Sequence, residues 1–115
     1  MTRLEWELKQ MTFHNRDGSK TTQRQRLANL MMFARQLDSM GYKRMQARSL
    51  KRKHVDALLK LWRQEKSTRT KAEISPATLK NRMSFLRWWA EKIAKPGVVP
   101  KTNAEVARAE SAYPR

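Results

Sequence analysis

The sequence predicts an all-α fold, a compact bundle of four main helices with a fifth short helix near the C-terminus. Three observations carry this reading. Apolar residues recur at the i, i+3, i+4, i+7 spacing of a buried helix face in separate stretches, and no stretch alternates with the two-residue period of a strand. The length of 115 residues suits one domain, and no internal repeat interrupts it. Hydrophobic residues make up 39% of the chain and four residues are Trp, enough apolar mass to argue against disorder throughout.

The first helix is expected over 2–12, where Leu4, Leu8 and Met11 share a face and Glu5, Glu7 and Lys9 lie off it. A polar loop follows, with a turn signal at Asp17-Gly18. The second helix is expected over 21–40, with Leu27, Leu30, Met31, Ala34 and Leu37 as its stripe. Ser19, Thr21 and Thr22 are candidate caps, because a short side-chain oxygen satisfies an orphan N–H of the first turn. Gly41 is a natural stop, able to take the left-handed conformation after the last turn. Residues 42–50 read as a connector.

The third helix is expected over 51–65, with Val55, Leu58, Leu59 and Trp62 as its stripe. Residues 66–73 are charged and read as a mobile linker. Ser75-Pro76 marks the fourth start, a capping hydroxyl followed by a proline whose missing N–H is not needed at the first helical position. That helix is expected to reach about Ala94, before Pro96-Gly97. Its stripe is Leu79, Met83, Leu86, Ala90 and Ile93, flanked by Trp89. Residues 98–100 are too few for an independent strand, and Thr102-Asn103 is a candidate cap for a last short helix expected through Ala109. The domain is thus placed at 1–100, with 101–115 as a linker or tail in which 104–115 are expected to show little amide-exchange protection.

Charge is the strongest functional signal. Lys and Arg number 26 against 10 Asp and Glu, a net charge of +16. A small domain so basic calls for a polyanion, nucleic acid first and acidic membrane surfaces second. Other classes fall away. Without cysteine there is no disulfide framework, thiolate zinc site or Cys nucleophile. Two histidines, His14 and His54, make no metal cage, and three glycines supply no phosphate-cradling loop. No apolar run approaches a membrane span, and no signal peptide opens the chain, so the expected compartment is the cytoplasm. No cofactor is implied, and no carboxylate pair sits where general acid and base roles would be expected.

The most specific segment begins the fourth helix. Thr78, Lys80, Asn81, Ser84 and Arg87 lie on or beside its polar side. Asn can bond an adenine edge bidentately, and Arg or Lys can bond guanine or phosphate, from a helix that fits the major groove. Spacing alone allows an ordinary solvated face as readily. Arg82 falls nearer the apolar stripe, either packing its stem while its head reaches out or pairing with a neighbour. Ser19, Lys20, Thr21, Thr22, Arg24 and Arg26 cluster where the second helix starts, with Thr22 either a contact or a cap. Arg24 is a stronger contact candidate than Arg35, being nearer the helix N-terminus. Lys51, Arg52 and Lys53 open the third helix against its macrodipole, a cost of a few tenths to about 1 kcal/mol that a phosphate would offset. A solvated charge run is the alternative there. His54 reads as structural, and Trp62 and Trp89 as core. Trp88 points away from the stripe, either onto the first helix or toward a partner.

The pattern Ser75-x-x-Thr78-x-Lys80-Asn81-Arg82-Met83-Ser84-x-Leu86-Arg87-Trp88-Trp89 resembles the N-terminal core-binding domain of phage integrases, the tyrosine site-specific recombinases. Asp17-Gly18-Ser19, Thr22 and Arg26 before Leu30-Met31-Met32-Phe33 are similar to the family's opening. So are Leu50-Lys51-x-Lys53-His54-Val55-x-Ala57-Leu58 and Trp62. The likeness covers roughly 4–100.

The resemblance implies a SAM-like helical domain that clamps a double-stranded DNA half-site together with a catalytic domain of the same parent protein, and does no chemistry itself. It implies DNA-facing roles for Thr22, Arg24, Arg26, Lys51, Lys53, Thr78, Lys80, Asn81, Arg82, Ser84 and Arg87. Within that set Asn81 and Lys80 are candidates for base edges, and Thr78, Ser84 and Arg87 for phosphates. The catalytic set of such recombinases includes a Tyr nucleophile. Here no H-x-x-R occurs, Tyr42 sits in a connector, and only Pro114-Arg115 follows Tyr113. The chain therefore reads as the binding half, not an enzyme, with 101–115 leading toward a catalytic domain, and as monomeric away from DNA. Two alternatives stay open. A stand-alone dimeric regulator would need a tighter turn than 66–73 supplies, and an RNA binder would be expected to expose stacking aromatics.

Overall fold

The computed structural model describes residues 2–64 and 75–99. Within them the chain forms four α-helices and no strand, as the apolar spacing predicts. They are α1 (Arg3–His14), α2 (Lys20–Ser39), α3 (Arg52–Gln64) and α4 (Pro76–Lys92), with 3₁₀ turns at Ala47–Ser49 and Pro96–Val98. The expected linker at 66–73 and short helix at 103–109 lie outside the described residues.

Local chemistry sets the helix ends. Thr2 and Glu5 form a reciprocal capping box at the start of α1, which also holds Glu5 near the core. Glu5 is therefore buried rather than solvated, and its carboxylate lies 3.5 Å from Arg35 of α2. Of the three candidate caps for α2, Ser19 takes the place, accepting the Thr22 N–H at 3.1 Å. Ser75 caps α4 in the same way, accepting the Thr78 N–H at 3.2 Å ahead of Pro76.

Two helices end in the same hydrogen-bonded motif with different residues at the left-handed position. After α2, Gly41 has φ +97°, its N–H meets the Asp38 carbonyl at 3.1 Å, and the Tyr42 N–H meets the Leu37 carbonyl at 3.1 Å. After α4, Ala94 has φ +60°, its N–H meets Glu91 at 3.0 Å, and the Lys95 N–H meets Ala90 at 2.8 Å. α4 therefore stops at Ala94, close to the end that its sequence predicts.

The core joins all four helices. Leu8, Leu30, Phe33, Leu37, Val55, Leu58, Trp62, Leu86 and Trp89 are fully buried, the largest of them contributing roughly 1.5–3 kcal/mol each by leaving water. Phe33 packs against Trp62 with ring centroids 5.0 Å apart and occupies the centre of α2's buried face, while Leu27 and Met31 lie only half-buried at its edge. The segment 42–50 is more than a connector. Met45, Ala47 and Leu50 are buried, and Val99 closes the core from the far end of the described chain. Trp89 donates its indole N–H to the Ala47 carbonyl at 2.8 Å, and Glu7 accepts the Ala47 N–H at 2.9 Å. Those bonds satisfy a loop backbone that burial would otherwise leave unpaired.

Candidate nucleic-acid interface

α4 has two faces with different chemistry. Met83, Leu86, Trp89 and Ala90 face the core, which fixes the rotation of the helix. Thr78, Lys80, Asn81 and Ser84 are consequently exposed. At 100° per residue Asn81, Ser84 and Trp88 fall within about 40° of one line, with Lys80 and Arg87 to one side and Thr78 to the other. No acidic residue occurs on α4 before Glu91, so this stretch of the helix itself contributes positive charge only. Arg82 is half-buried, its guanidinium 5.4 Å from the Trp62 ring centre, and Arg87 is half-buried as well.

The line on α4 runs toward the start of α2. Trp88 packs there rather than on α1. Its indole N–H reaches the Asp17 carboxylate at 3.1 Å, and the Arg26 guanidinium lies 4.5 Å from its ring centre. Lys92, one turn further along α4, completes the cluster at 3.0 Å from Asp17. Hydrogen bonds from Lys92 and Trp88 hold the Asp17 carboxyl below its usual range, so it stays ionised between the two helices.

This cluster separates the candidates at the start of α2. Arg24 is exposed. Arg26 is only 6% exposed, with its Nε buried and without a hydrogen-bond partner, so its guanidinium acts first on Trp88. Thr22 is half-buried, and its hydroxyl accepts from Ser19 at 3.1 Å. The sequence signal for the cluster was Trp88 itself, an aromatic residue off the apolar stripe with Lys92 one turn later.

Lys51 and Lys53 belong elsewhere. Both are exposed at the start of α3, on a cleft shared with Lys95 beyond the end of α4. Lys80 stands twelve residues before Lys92 on α4, about 18 Å along the axis. The fold therefore brings Asn81, Ser84, Trp88 and the start of α2 into one line, and sets Lys51 and Lys53 at the opposite end of α4 from Thr78 and Lys80. His54 is packed into the protein beside this cleft. It is buried, its Nδ1 accepts the Lys51 N–H at 2.9 Å, and its ring meets Tyr42 edge-on at 4.7 Å. Burial first, then Lys53, Lys51 and Lys95, lowers its pKa below the ordinary histidine value.

Among the described residues no group of three or more His, Asp or Glu side chains is placed to hold a metal, and no helix is long and apolar enough to cross a membrane. Fold and charge together define a small, basic, all-α domain with one acid-poor helix face presented by a rigid core. The family described as phage integrase, N-terminal, matches residues 1–95, and the chain belongs to that family. No curated protein and no solved structure matches it.

Proposed function

We propose that this chain is the double-stranded-DNA-binding module of a phage-type integrase, holding a recombination half-site while a catalytic domain of the parent protein performs strand exchange. The observation that carries the reading is the exposed row on α4, Thr78, Lys80, Asn81 and Ser84, held by the core on one side and tied through Trp88 to the start of α2. A helix so presented fits a major groove, with Asn81 suited to an adenine edge and Lys80 to guanine or phosphate. Thr78 and Ser84 hydroxyls and the exposed Arg24 suit phosphates, which position without reading sequence. The membership in the integrase family and the +16 charge support the same reading.

The test is selection from a random duplex library across a salt series, with sequencing of the bound fraction. The expected result is a short enriched half-site whose enrichment is lost in Asn81→Ala, at a cost of about 1–3 kcal/mol on cognate duplex and little on random duplex. Equal losses on both duplexes would remove Asn81 from base reading. Tighter binding of single-stranded RNA than of duplex DNA at matched salt would overturn the reading.

A further inference from the structure

A cleft of about 540 Å³ opens at the start of α3, away from the face of α4 described above. Lys43, Arg48, Lys51, Lys53 and Lys95 line it together with Tyr42 and His54, and no carboxylate does among the described residues. Lys43 is paired with Asp38 at 2.9 Å, and Lys95 donates to the Arg48 carbonyl, a neutral group, at 2.6 Å. Lys51 and Lys53 have no anionic partner among the described residues. Lys51 immediately precedes α3 and Lys53 sits on its first turn, which contains no acid, so positive charge there opposes the macrodipole.

A second observation points to a ligand. His54 is 5% exposed, yet it lines the cleft. Its Nδ1 accepts the Lys51 N–H, which places the ring proton on Nε2 when the imidazole is neutral. That Nε2–H has no hydrogen-bond acceptor among the described residues. A buried side chain thus leaves one donor at the wall of a cleft rich in cations. The N–H groups of Arg52 and Lys53, the first two helical positions, point toward the same end and lack intrahelical acceptors.

We propose that this cleft is a phosphoryl-binding site, taking a phosphate ester or a pyrophosphate-sized anion between Lys51, Lys53 and Lys95, with His54 Nε2–H donating from the wall. The ligand supplies what the site lacks, a negative charge with several acceptor oxygens. The volume lies within the usual range for small ligands, roughly 300–1,000 Å³, so a phosphorylated small molecule or a backbone phosphate is admitted. The inference stands on the cleft alone and does not require that α4 read duplex DNA.

The test is titration of the full chain with pyrophosphate at constant ionic strength, followed by the His54 imidazole and the 51–53 amide resonances. Saturating shifts at His54 are expected. The double variant Lys51→Gln/Lys53→Gln is expected to bind about tenfold or more weakly, the loss of two charge-assisted contacts, with an unchanged circular dichroism spectrum. Lys60→Gln, exposed two turns further along α3 and outside the cleft, is expected to leave the affinity unchanged. Shifts that never saturate, or an equal loss in Lys60→Gln, overturn the site. A short duplex added to the pyrophosphate complex then identifies the source. Displacement from His54 assigns the site to a nucleic-acid phosphate, and simultaneous binding assigns it to a free phosphorylated ligand.

Discussion

Trp88 donates its indole N–H to the Asp17 carboxylate at 3.1 Å across seventy-one residues of sequence. The bond fastens the outer face of α4 to the loop that opens α2. Arg26 stacks on the other side of the relationship, its guanidinium 4.5 Å from the same ring, and Lys92 balances Asp17 at 3.0 Å. Two basic segments that would repel one another are thereby held together by one aromatic ring and one carboxylate.

Removing the ring should loosen that join. Trp88→Ala takes away both the donor and the surface under a buried guanidinium, and an expected loss of about 1–3 kcal/mol follows. Trp88→Phe keeps the stack and loses only the hydrogen bond, an expected cost of about 0.5–1.5 kcal/mol. Urea midpoints of the two variants measure the difference. Equal midpoints would mean that the Arg26 stack contributes nothing.

The helices were legible because each buries a stripe at helical spacing and carries a local start or stop signal. Ser75-Pro76 and Gly41 act where their chemistry places them. Legibility failed where burial is decided by another segment. Nothing local in 42–50 or at Val99 says that Met45, Ala47, Leu50 and Val99 enter the core, because the partners that cover them come from distant helices. The same limit applies to the candidate interface. The polar row of α4 followed from periodicity, but the burial of Arg26 depends on Trp88, and the grouping of Lys51 and Lys53 with Lys95 depends on how α3 and α4 run past each other.

The two matched helix ends make a paired prediction. Gly41→Ala forces a β-carbon onto φ +97° with no neighbouring atom within 4 Å, so backbone strain alone is added. A loss of about 1 kcal/mol is expected. Ala94→Gly relieves φ +60° at the equivalent position after α4, partly offset by the greater freedom of glycine in the unfolded chain. A net gain of about 0.5–1 kcal/mol is expected, read as a higher thermal midpoint.

His54 makes stability depend on pH in the mildly acidic range. Its folded pKa lies below the ordinary value of about 6.5, because burial and three lysines disfavour the imidazolium. Above that value both states are neutral at this residue, and its stabilisation is fully present. As pH falls below it the unfolded chain takes a proton that the folded chain refuses, so stability declines until pH passes the folded pKa. Denaturant melts from pH 7.5 down to about 5 should show this decline, above the range where Asp17 and Glu7 titrate. His54→Gln should flatten it while keeping an acceptor for the Lys51 N–H, and an unchanged pH profile would remove His54 as the cause.

Salt dependence should separate the arginines that sequence alone treated together. Arg24 is exposed at the start of α2, and Lys80 is exposed on α4. If each neutralises one phosphate, Arg24→Ala and Lys80→Ala should each reduce the slope of log K against log salt by about 0.9, with the thermal midpoint little changed. Arg26 is buried against Trp88, so Arg26→Ala should lower the thermal midpoint instead. Its effect on duplex affinity should follow from the loosened join between α2 and α4, appearing as weaker binding at every salt concentration with a similar slope. A slope change in Arg26→Ala as large as that in Arg24→Ala would show that its guanidinium leaves Trp88 to meet a phosphate when DNA binds.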